Sequence, residues 1–402
     1  MYVVFFFRRD LRLFDNTALI AAVKEARKRK TTVLPIFVYN PEQIDKSRNG
    51  YASDAALQFI HESIIDLQKQ LGALSGELVL LKGDPVVIAK RLGNTAHAVY
   101  ENADYTPYAR QRSSVWCIIG AERYHGSFED YDLVAMNAIK PYHKFTPYWR
   151  VAAKIRVSPP DPFRFRSGDF APPKTLASDH IASYFRENHD IAVRGGRTEA
   201  LIHMRSYDPS NYENTRNILG DPNGTSRLSA YIKFGCISIR EVYHHWKKLK
   251  AIAIIRELYW RSFYAHLIYN NPEIITKKRL PKSPGNAAKW RAWCSGETGV
   301  PLVDAGMRQL LTTGYMHNRA RMVTIMYACK DMGLDWRWTE RFFASHLVDY
   351  DPASNSGGHR WAASIGAESA PAYVKFNPVL QAKRYDIDGS YVREYANKEI
   401  PP

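Results

Sequence analysis

The sequence predicts two unlike parts, an α/β domain built on a parallel sheet followed by an all-α domain. Three observations predict it. Over the first 130 residues, short apolar runs alternate with amphipathic stretches, the signature of strand–helix–strand units. After about residue 200 the strand pattern stops and helical periodicity takes over. Between them, Pro141, Pro147, Pro159, Pro160, Pro162, Pro172 and Pro173 punctuate a segment rich in arginine. It reads as a long connection and not as a folded unit. The expected division is therefore 1–130, a linker over 131–200, and 201–402.

Taken in order, Tyr2–Phe7, Thr32–Val38, Glu77–Leu81 and Ala98–Tyr100 read as strands. Unbroken runs of β-branched and aromatic residues suit strands covered on both faces. Ala18–Arg27, Ala55–Leu71 and Pro85–Leu92 have helical spacing, and Asp15-Asn16-Thr17 offers caps for the first of them. Helices between successive strands place the strands parallel with helices on both faces. No GxGxxG or GxxxxGK[ST] follows a strand, so the sheet by itself carries no phosphate-binding fingerprint. In the second part, Ile239–Leu249, Ile254–Tyr269, Leu302–Leu311, Asn318–Met332 and Arg337–Leu347 are the predicted helices. No internal repeat or low-complexity tract interrupts them.

The 402 residues carry 56 Lys plus Arg against 40 Asp plus Glu, a net charge of +16. That excess points to an anionic partner, with an evenly spread solubility charge as the plainer alternative. A content of 45% hydrophobic and 13% aromatic residues excludes intrinsic disorder. Cys117, Cys236, Cys294 and Cys329 show no C-x-x-C spacing, which excludes a disulfide framework or a Cys-rich zinc site and fits a reducing compartment. The apolar run Tyr2–Phe7 is too short for a signal-peptide core or a membrane span. A soluble, intracellular chain without a signal peptide is expected.

Three segments of the helical part hold more polar chemistry than a plain bundle needs. Gly224-Thr225-Ser226-Arg227-Leu228-Ser229 places hydroxyls before an apolar run, which serves as an ordinary cap or as a phosphate site. Glu257, Trp260, Arg261 and Tyr264 fall at i, i+3, i+4 and i+7 on one helix face. They read either as core packing with a Glu257–Arg261 pair or as a carboxylate beside stacking rings for a planar polar ligand. The third segment combines Met316-His317-Asn318-Arg319-Ala320-Arg321-Met322 with Asp349-Tyr350-Asp351-Pro352 through Trp361. His317 has no ligand spacing to His346 or His359, so a structural role is favoured over a metal. Asp349 and Asp351 stay open between loop or cap and a functional role.

Together these motifs resemble the photolyase/cryptochrome family over nearly the whole chain. The chain is most similar to its class I cyclobutane pyrimidine dimer (CPD) photolyases. Phe6-Phe7-Arg8-Arg9-Asp10-Leu11-Arg12-Leu13-Phe14-Asp15-Asn16 resembles the family's first strand and turn, and Lys144-Phe145-Thr146-Pro147-Tyr148-Trp149-Arg150 the entry to its linker. Thr225–Ser229 with Phe234-Gly235 and Ser238 resembles its FAD phosphate loop. Thr298-Gly299 through Pro301, Asp304, Met307-Arg308, Thr313-Gly314, Met316-His317-Asn318-Arg319 and Arg321-Met322 form the strongest match.

The resemblance implies a Rossmann-like antenna domain, an all-α FAD-binding domain, and these roles. Tyr212, Thr225, Ser226, Leu228 and Ser229 would hold the FAD phosphates and ribitol. Arg321, Asp349 and Asp351 would line the flavin, the arginine pairing with an aspartate beneath the ring system, while Asn355 would face N5. Glu257, Trp260, Asn318, Met322 and Trp361 would form the cavity for a flipped-out dimer. Asn318 in place of histidine is similar to dimer photolyases more than to (6-4) enzymes. Arg216, Arg319 and Arg360 would contact phosphates of UV-damaged DNA. The implied reaction is light-driven electron transfer from reduced FAD to the dimer and back, with no metal and no protein nucleophile. A monomer, cytoplasmic or associated with nucleoid or nucleus, is expected.

The chain also departs from the family. Of three tryptophans that usually relay electrons to oxidised flavin, only the middle one, Trp336, is retained; the flavin-proximal position is His359. The outer one should fall near Lys282 and Ser283, and Tyr315 replaces a common tryptophan. Photoreduction by the usual chain is expected to be broken or rerouted through Tyr350, Trp338 or Trp290. A second, antenna chromophore (folate, deazaflavin or flavin) is left undecided by Asp104–Arg110. The alternatives are a cryptochrome-type blue-light photoreceptor, against which the chain's end at Pro402 without a long tail counts, and a damage-binding flavoprotein without repair activity.

Overall fold

The structure is a computed structural model that describes residues 1–93, 96–115, 122–125, 131–172, 174–179, 184–276, 279–367, 371–396, 398 and 400. Cys117 and Pro173, named above, lie outside these residues. The five strands are β1 (Tyr2–Phe7), β2 (Val33–Tyr39), β3 (Val79–Lys82), β4 (Ala96–Glu101) and β5 (Glu122–His125). They form one parallel sheet in the order β3-β2-β1-β4-β5. The chain thus winds outward in one direction from β1, then reverses through β4. Side chains of β1 from Val3 to Phe7 are buried, as expected for a central strand covered on both faces.

Helices α1 (Thr17–Lys28), α2 (Pro41–Ile44), α3 (Asp54–Gly72), α4 (Pro85–Gly93) and α5 (Pro107–Val115) accompany the strands. Asn16 caps α1 by accepting the Leu19 N–H at 3.2 Å. The linker is not featureless. It holds α6 (Phe145–Ala152), because Pro147 stands in the first turn, where its missing N–H would have had no intrahelical partner. Farther on, Phe170 forms a bridge with Val33, with Val33 N–H donating to Asp169 at 2.8 Å and Ala171 N–H to Val33 at 2.7 Å. The connection is therefore pinned along the sheet.

No strand occurs after residue 200 among the described residues. The helices there are α7 (Arg197–Ser206), α8 (Tyr212–Thr215), α9 (Ser229–Lys233), α10 (Ile239–Lys248), α11 (Ile252–Asn270), α12 (Glu273–Thr276), α13 (Ala287–Ser295), α14 (Pro301–Thr313), α15 (Asn318–Lys330), α16 (Trp336–Ala344), α17 (Pro352–Ala362), α18 (Pro378–Tyr385) and α19 (Ser390–Ala396). The two parts share one hydrophobic core in which Phe5, Phe7 and Phe59 join Tyr231, Phe234 and Ile237. Leu11 N–H donates to the Phe234 carbonyl at 3.1 Å, and buried Arg12 to the Gly235 carbonyl at 3.2 Å. Gly235 is required there: its φ is +66°, and a Cβ would lie 2.2 Å from the Arg9 carbonyl oxygen. The Phe234-Gly235 motif is thus the seat of the β1–α1 turn on the helical part. Among the described residues, no helix is long and apolar enough to cross a membrane.

Candidate active site

α11, α15 and α16 all pack on α17; these helices and the turns before them carry most of the candidate residues, while Tyr212 and Arg216 come from α8 and its end and Thr225–Ser229 from the turn that opens α9. His317 caps α15 by accepting the Arg319 N–H on Nδ1 at 3.1 Å. Burial, then the neighbouring Arg321, Arg319 and Arg227 cations, push its pKa down to about 4. The structural reading of this histidine holds. Arg321, one turn on, donates from Nη2 to both carboxylate oxygens of Asp349 at 3.0 and 2.9 Å. Its Nε donates to the Met316 carbonyl at 2.7 Å, and its guanidinium lies 5.3 Å from the Tyr315 ring centre. Ser229 Oγ donates to Asp349 at 2.7 Å. Three predicted residues, Arg321, Asp349 and Ser229, thus meet in one hydrogen-bonded junction.

Asp351 does something else. One of its oxygens accepts the Ala353 and Ser354 N–H groups at 3.0 Å and caps α17, with Pro352 in the first turn. The other accepts from Tyr105 Oη at 3.0 Å and Arg9 Nη1 at 3.2 Å, with Lys233 Nζ at 3.7 Å. Arg9 also forks onto Asp104, both bonds 2.9 Å. Burial alone would raise the Asp351 carboxyl, but Lys233, Arg9 and Arg261 hold it below the ordinary carboxylate range. Burial and the Arg9 charge in turn lower the Lys233 ammonium to about 7. So Asp351 ties α17 to the carboxyl ends of β1 and β4, where the sheet order reverses.

Asn355 donates from Nδ2 to Oε1 and to the carbonyl of Glu340, each at 3.1 Å, and Ser356 Oγ donates to the same Oε1 at 3.1 Å. Glu340 is fully buried. His359, also buried, is bonded through Nδ1 to the Asn355 carbonyl at 2.9 Å and meets Phe343 edge-on at 5.1 Å. Gly357 lets α17 approach α11, since a Cβ there would lie 2.2 Å from the Tyr264 ring. A Cβ on the next residue, Gly358, would meet nothing within 4 Å, which leaves open space at that position of α17.

On α11, Trp260 stacks on Phe145 of α6 with ring centres 3.6 Å apart, so one face of the indole is held inside the protein. Glu257 does not pair with Arg261. It accepts from Arg216 Nη1 at 2.7 Å, whereas Arg261 turns the other way, to the Tyr131 carbonyl and Asp132. Burial raises the Glu257 carboxyl above its ordinary range, against Arg216 and Arg256. Tyr212 is buried with Arg216 5.8 Å from its ring centre. Asn318 and Met322 lie one helical turn apart, amide to sulfur 3.9 Å, and Trp361 lies 6.0 Å from Phe376. Arg319 donates to Asn217 at 2.7 Å and covers Tyr385 at 4.4 Å, while Arg360 sits 5.7 Å from the Trp336 ring centre. Each predicted phosphate-contacting arginine therefore already has an internal partner. Beyond Trp336, near Ser283, where the outer position of the relay falls and holds no tryptophan, there is a cavity of about 430 Å³ lined by Pro281, Ser283, Pro284 and Trp336.

The residues suit FAD by their chemistry. Thr225 and Ser226 offer half-buried hydroxyls, the Arg321–Asp349 junction offers paired donor and acceptor groups, and the space at Gly358 leaves room for a ring system. Leu228 is buried in the core, so any contact it makes with a polar ligand is through its backbone. Sequence reasoning missed Glu340, Phe145 as the partner of Trp260, and the Arg9–Asp104–Asp351 network. Two signals were present. Arg9 and Asp104 both fall in quoted motifs, but their pairing spans 95 residues.

Two family models match, one described as DNA photolyase over residues 3–164 and one as the FAD binding domain of DNA photolyase over 254–399. A deoxyribodipyrimidine photo-lyase of Alkalihalophilus pseudofirmus is 34% identical, the alignment covering 97% of this chain and 86% of that protein. The archaeal photolyase from Sulfolobus tokodaii, solved with two FAD molecules, superposes with a TM-score of 0.88 at 32% identity, over 99% of this chain and 90% of that one. A Synechocystis cryptochrome superposes with a TM-score of 0.85 at 26% identity, over 98% of this chain and 88% of that one.

Proposed function

The chain belongs to the photolyase/cryptochrome family, and from that premise we propose how its residues serve light-driven repair of cyclobutane pyrimidine dimers in DNA. It is a lyase and a flavoprotein of the DNA-photolyase kind. The observation that carries the site assignment is the junction of Arg321, Asp349 and Ser229 just before α17, the helix that carries Asn355 and the open position at Gly358. FAD would be held there, its phosphates and ribitol by Tyr212, Thr225, Ser226, the Leu228 backbone and Ser229, its ring system by Arg321, Asp349 and Asn355. Asp351 would act at one remove, by capping α17. When bound and reduced, FAD supplies the electron that opens the cyclobutane ring and receives it again.

The rest is positioning. A dimer is poorly stacked, so extruding it from the duplex costs less than extruding a normal pair, and that difference helps select damage. Trp260, backed by Phe145, and Trp361 would stack on the pyrimidines, at about 1–3 kcal/mol per base, with Met322 filling the remaining apolar contact. Glu257, held by Arg216, and the Asn318 amide would hydrogen-bond the exocyclic groups of the dimer. Arg216, Arg319 and Arg360 would exchange their internal partners for backbone phosphates, with the counterion release that gives steep salt dependence.

The divisions 1–130, 131–200 and 201–402 are kept as antenna-type domain, linker and FAD-binding domain, supported by the strands being confined to the first. A second chromophore is proposed for the first domain, its type open. Asp104 and Tyr105 serve the interface with Asp351, whereas Tyr108 is part-exposed beside Asn40 and remains available. The protein is proposed to be a monomer, cytoplasmic or nucleoid- or nucleus-associated. The likeness to the Synechocystis cryptochrome supports a photoreceptor as second reading. Binding of a single-dimer oligonucleotide in the dark, against the undamaged strand, tests the site: preference for damage that falls in Glu257→Ala and Asn318→Ala supports it. Equal binding of both strands contradicts it.

A further inference from the structure

A connected row of rings leads from the candidate flavin site to the surface. His359 touches Phe343 edge-on at 5.1 Å, and Phe343 stacks on Trp293 at 5.9 Å with planes 17° apart. Trp293 lies 5.6 Å from Trp290, which lies 6.0 Å from Trp338. Trp293 is fully buried and Trp290 half-buried. From this we propose that Trp293 and Trp290 form an electron path from the surface to the bound flavin. The proposal rests on the FAD reading given above.

The chemistry of each position fits its place. Histidine and phenylalanine are much harder to oxidise than tryptophan, so His359 and Phe343 bridge without holding the charge. Trp293 is the first oxidisable indole along the row. Its Nε1 proton is donated to the buried Thr324 carbonyl at 3.3 Å, so an oxidised Trp293 has no water to lose its proton to and stays refillable. Trp290 reaches water and can lose its indole proton there. The Arg341 cation lies 5.7 Å from the Trp338 ring centre and disfavours a positive charge on that ring, which makes Trp290 the resting place of the hole.

The competing routes are worse placed. Arg360 lies over Trp336 just as Arg341 lies over Trp338, and the cavity at Ser283 leaves Trp336 without an outer ring. Tyr350 packs on Tyr51 at 6.2 Å; burial holds its phenol proton tightly, yet tyrosine must shed that proton to be oxidised.

The electron balance is as follows. With oxidised FAD bound and illuminated, Trp293 would give up one electron to it, Trp290 would refill Trp293, and Trp290 would release a proton to water. A thiol in solution returns one electron and one proton to Trp290; two resulting thiyl radicals join as a disulfide. Two such cycles and one proton bring the flavin to its reduced state.

The test is time-resolved absorption and electron paramagnetic resonance on the FAD-loaded, full-length protein after a blue flash, alongside steady flavin bleaching with thiol. Trp293→Phe is expected to lose the prompt tryptophan radical and to slow bleaching by at least about tenfold. Trp290→Phe should keep the prompt radical but shorten its life by charge recombination. Because Trp293 is buried, flavin content is read first; if Trp293→Phe does not retain FAD, the half-exposed Trp290→Phe decides by radical lifetime. A prompt radical that survives Trp293→Phe, an unchanged lifetime in Trp290→Phe, or a signal removed by Trp336→Phe or Tyr350→Phe alone overturns the path. Protein that takes up no FAD at all fails at the absorbance step and overturns the FAD reading with it. FAD bound with the radical elsewhere overturns the path only.

Discussion

Asp349→Asn isolates the junction on which the cofactor assignment stands. The substitution keeps shape and removes one charge. In the native protein the Asp349 side chain is 5% exposed and Arg321 22%, so the pair is largely shielded from water. Removing one partner of such a pair strands the other charge, at about 3–5 kcal/mol for full burial. Arg321 keeps its 2.7 Å bond to the Met316 carbonyl and some contact with solvent, which brings the expected loss of stability to about 2–3 kcal/mol. Asparagine can still accept from Ser229, so the effect falls on Arg321. The assay has two parts: thermal unfolding without cofactor, and flavin retained through gel filtration, read as the ratio of flavin to protein absorbance. The expected outcome is a lower melting temperature and loss of most of the flavin, with Arg321→Ala giving the same loss and the double variant adding little. Flavin retained at the native ratio in Asp349→Asn would refute the reasoning, whatever the melting temperature.

Other outcomes are equally definite. His317 is held near pKa 4 in the fold against 6.5 as the ordinary value. The folded protein binds fewer protons between those limits, so stability falls as pH drops from about 6.5 to 4 and levels off below 4, the total loss being about 3 kcal/mol. His317→Asn, which can still cap α15, should flatten the melting temperature over that range. Gly235→Ala forces a side chain into a left-handed turn and against the Arg9 carbonyl; it should cost at least about 2 kcal/mol, read by chemical denaturation. Arg216→Ala should reduce the slope of log affinity for damaged DNA against log salt by about one, read by fluorescence anisotropy.

Much of the fold was legible because β1 to β4 are apolar runs and the early helices carry caps such as Asn16, features local to a few residues. α6 was not, because its proline was read as a breaker although a proline in a first turn does no harm. The site was legible in part for the same reason. Thr225–Ser229, Asn318–Met322 and Asp349–Trp361 are compact segments with recognisable spacing. What joins them is not local. Arg9 to Asp104 and Asp351, Phe145 to Trp260, and Arg216 to Glu257 are pairings between distant segments that no periodicity encodes. The i,i+4 rule even suggested the wrong partner for Glu257, since Arg261 lies on the side of α11 that faces Tyr131 and Asp132. The proposed phosphate contacts Arg216, Arg319 and Arg360 each have an internal partner in the fold.

The central claim separates repair from photoreduction: if Glu257, Trp260, Asn318, Met322 and Trp361 form the proposed dimer site, the protein should repair once the flavin is reduced, whatever the fate of the tryptophan relay. The direct measurement uses FAD-loaded protein reduced chemically under exclusion of oxygen, mixed with an oligonucleotide carrying one thymine dimer. Dimer content is followed in the dark and then under blue light. The account predicts no change in the dark and multiple turnovers in the light, in Trp336→Phe as in the native protein. Tight dimer binding with no loss of dimer on illumination would contradict it.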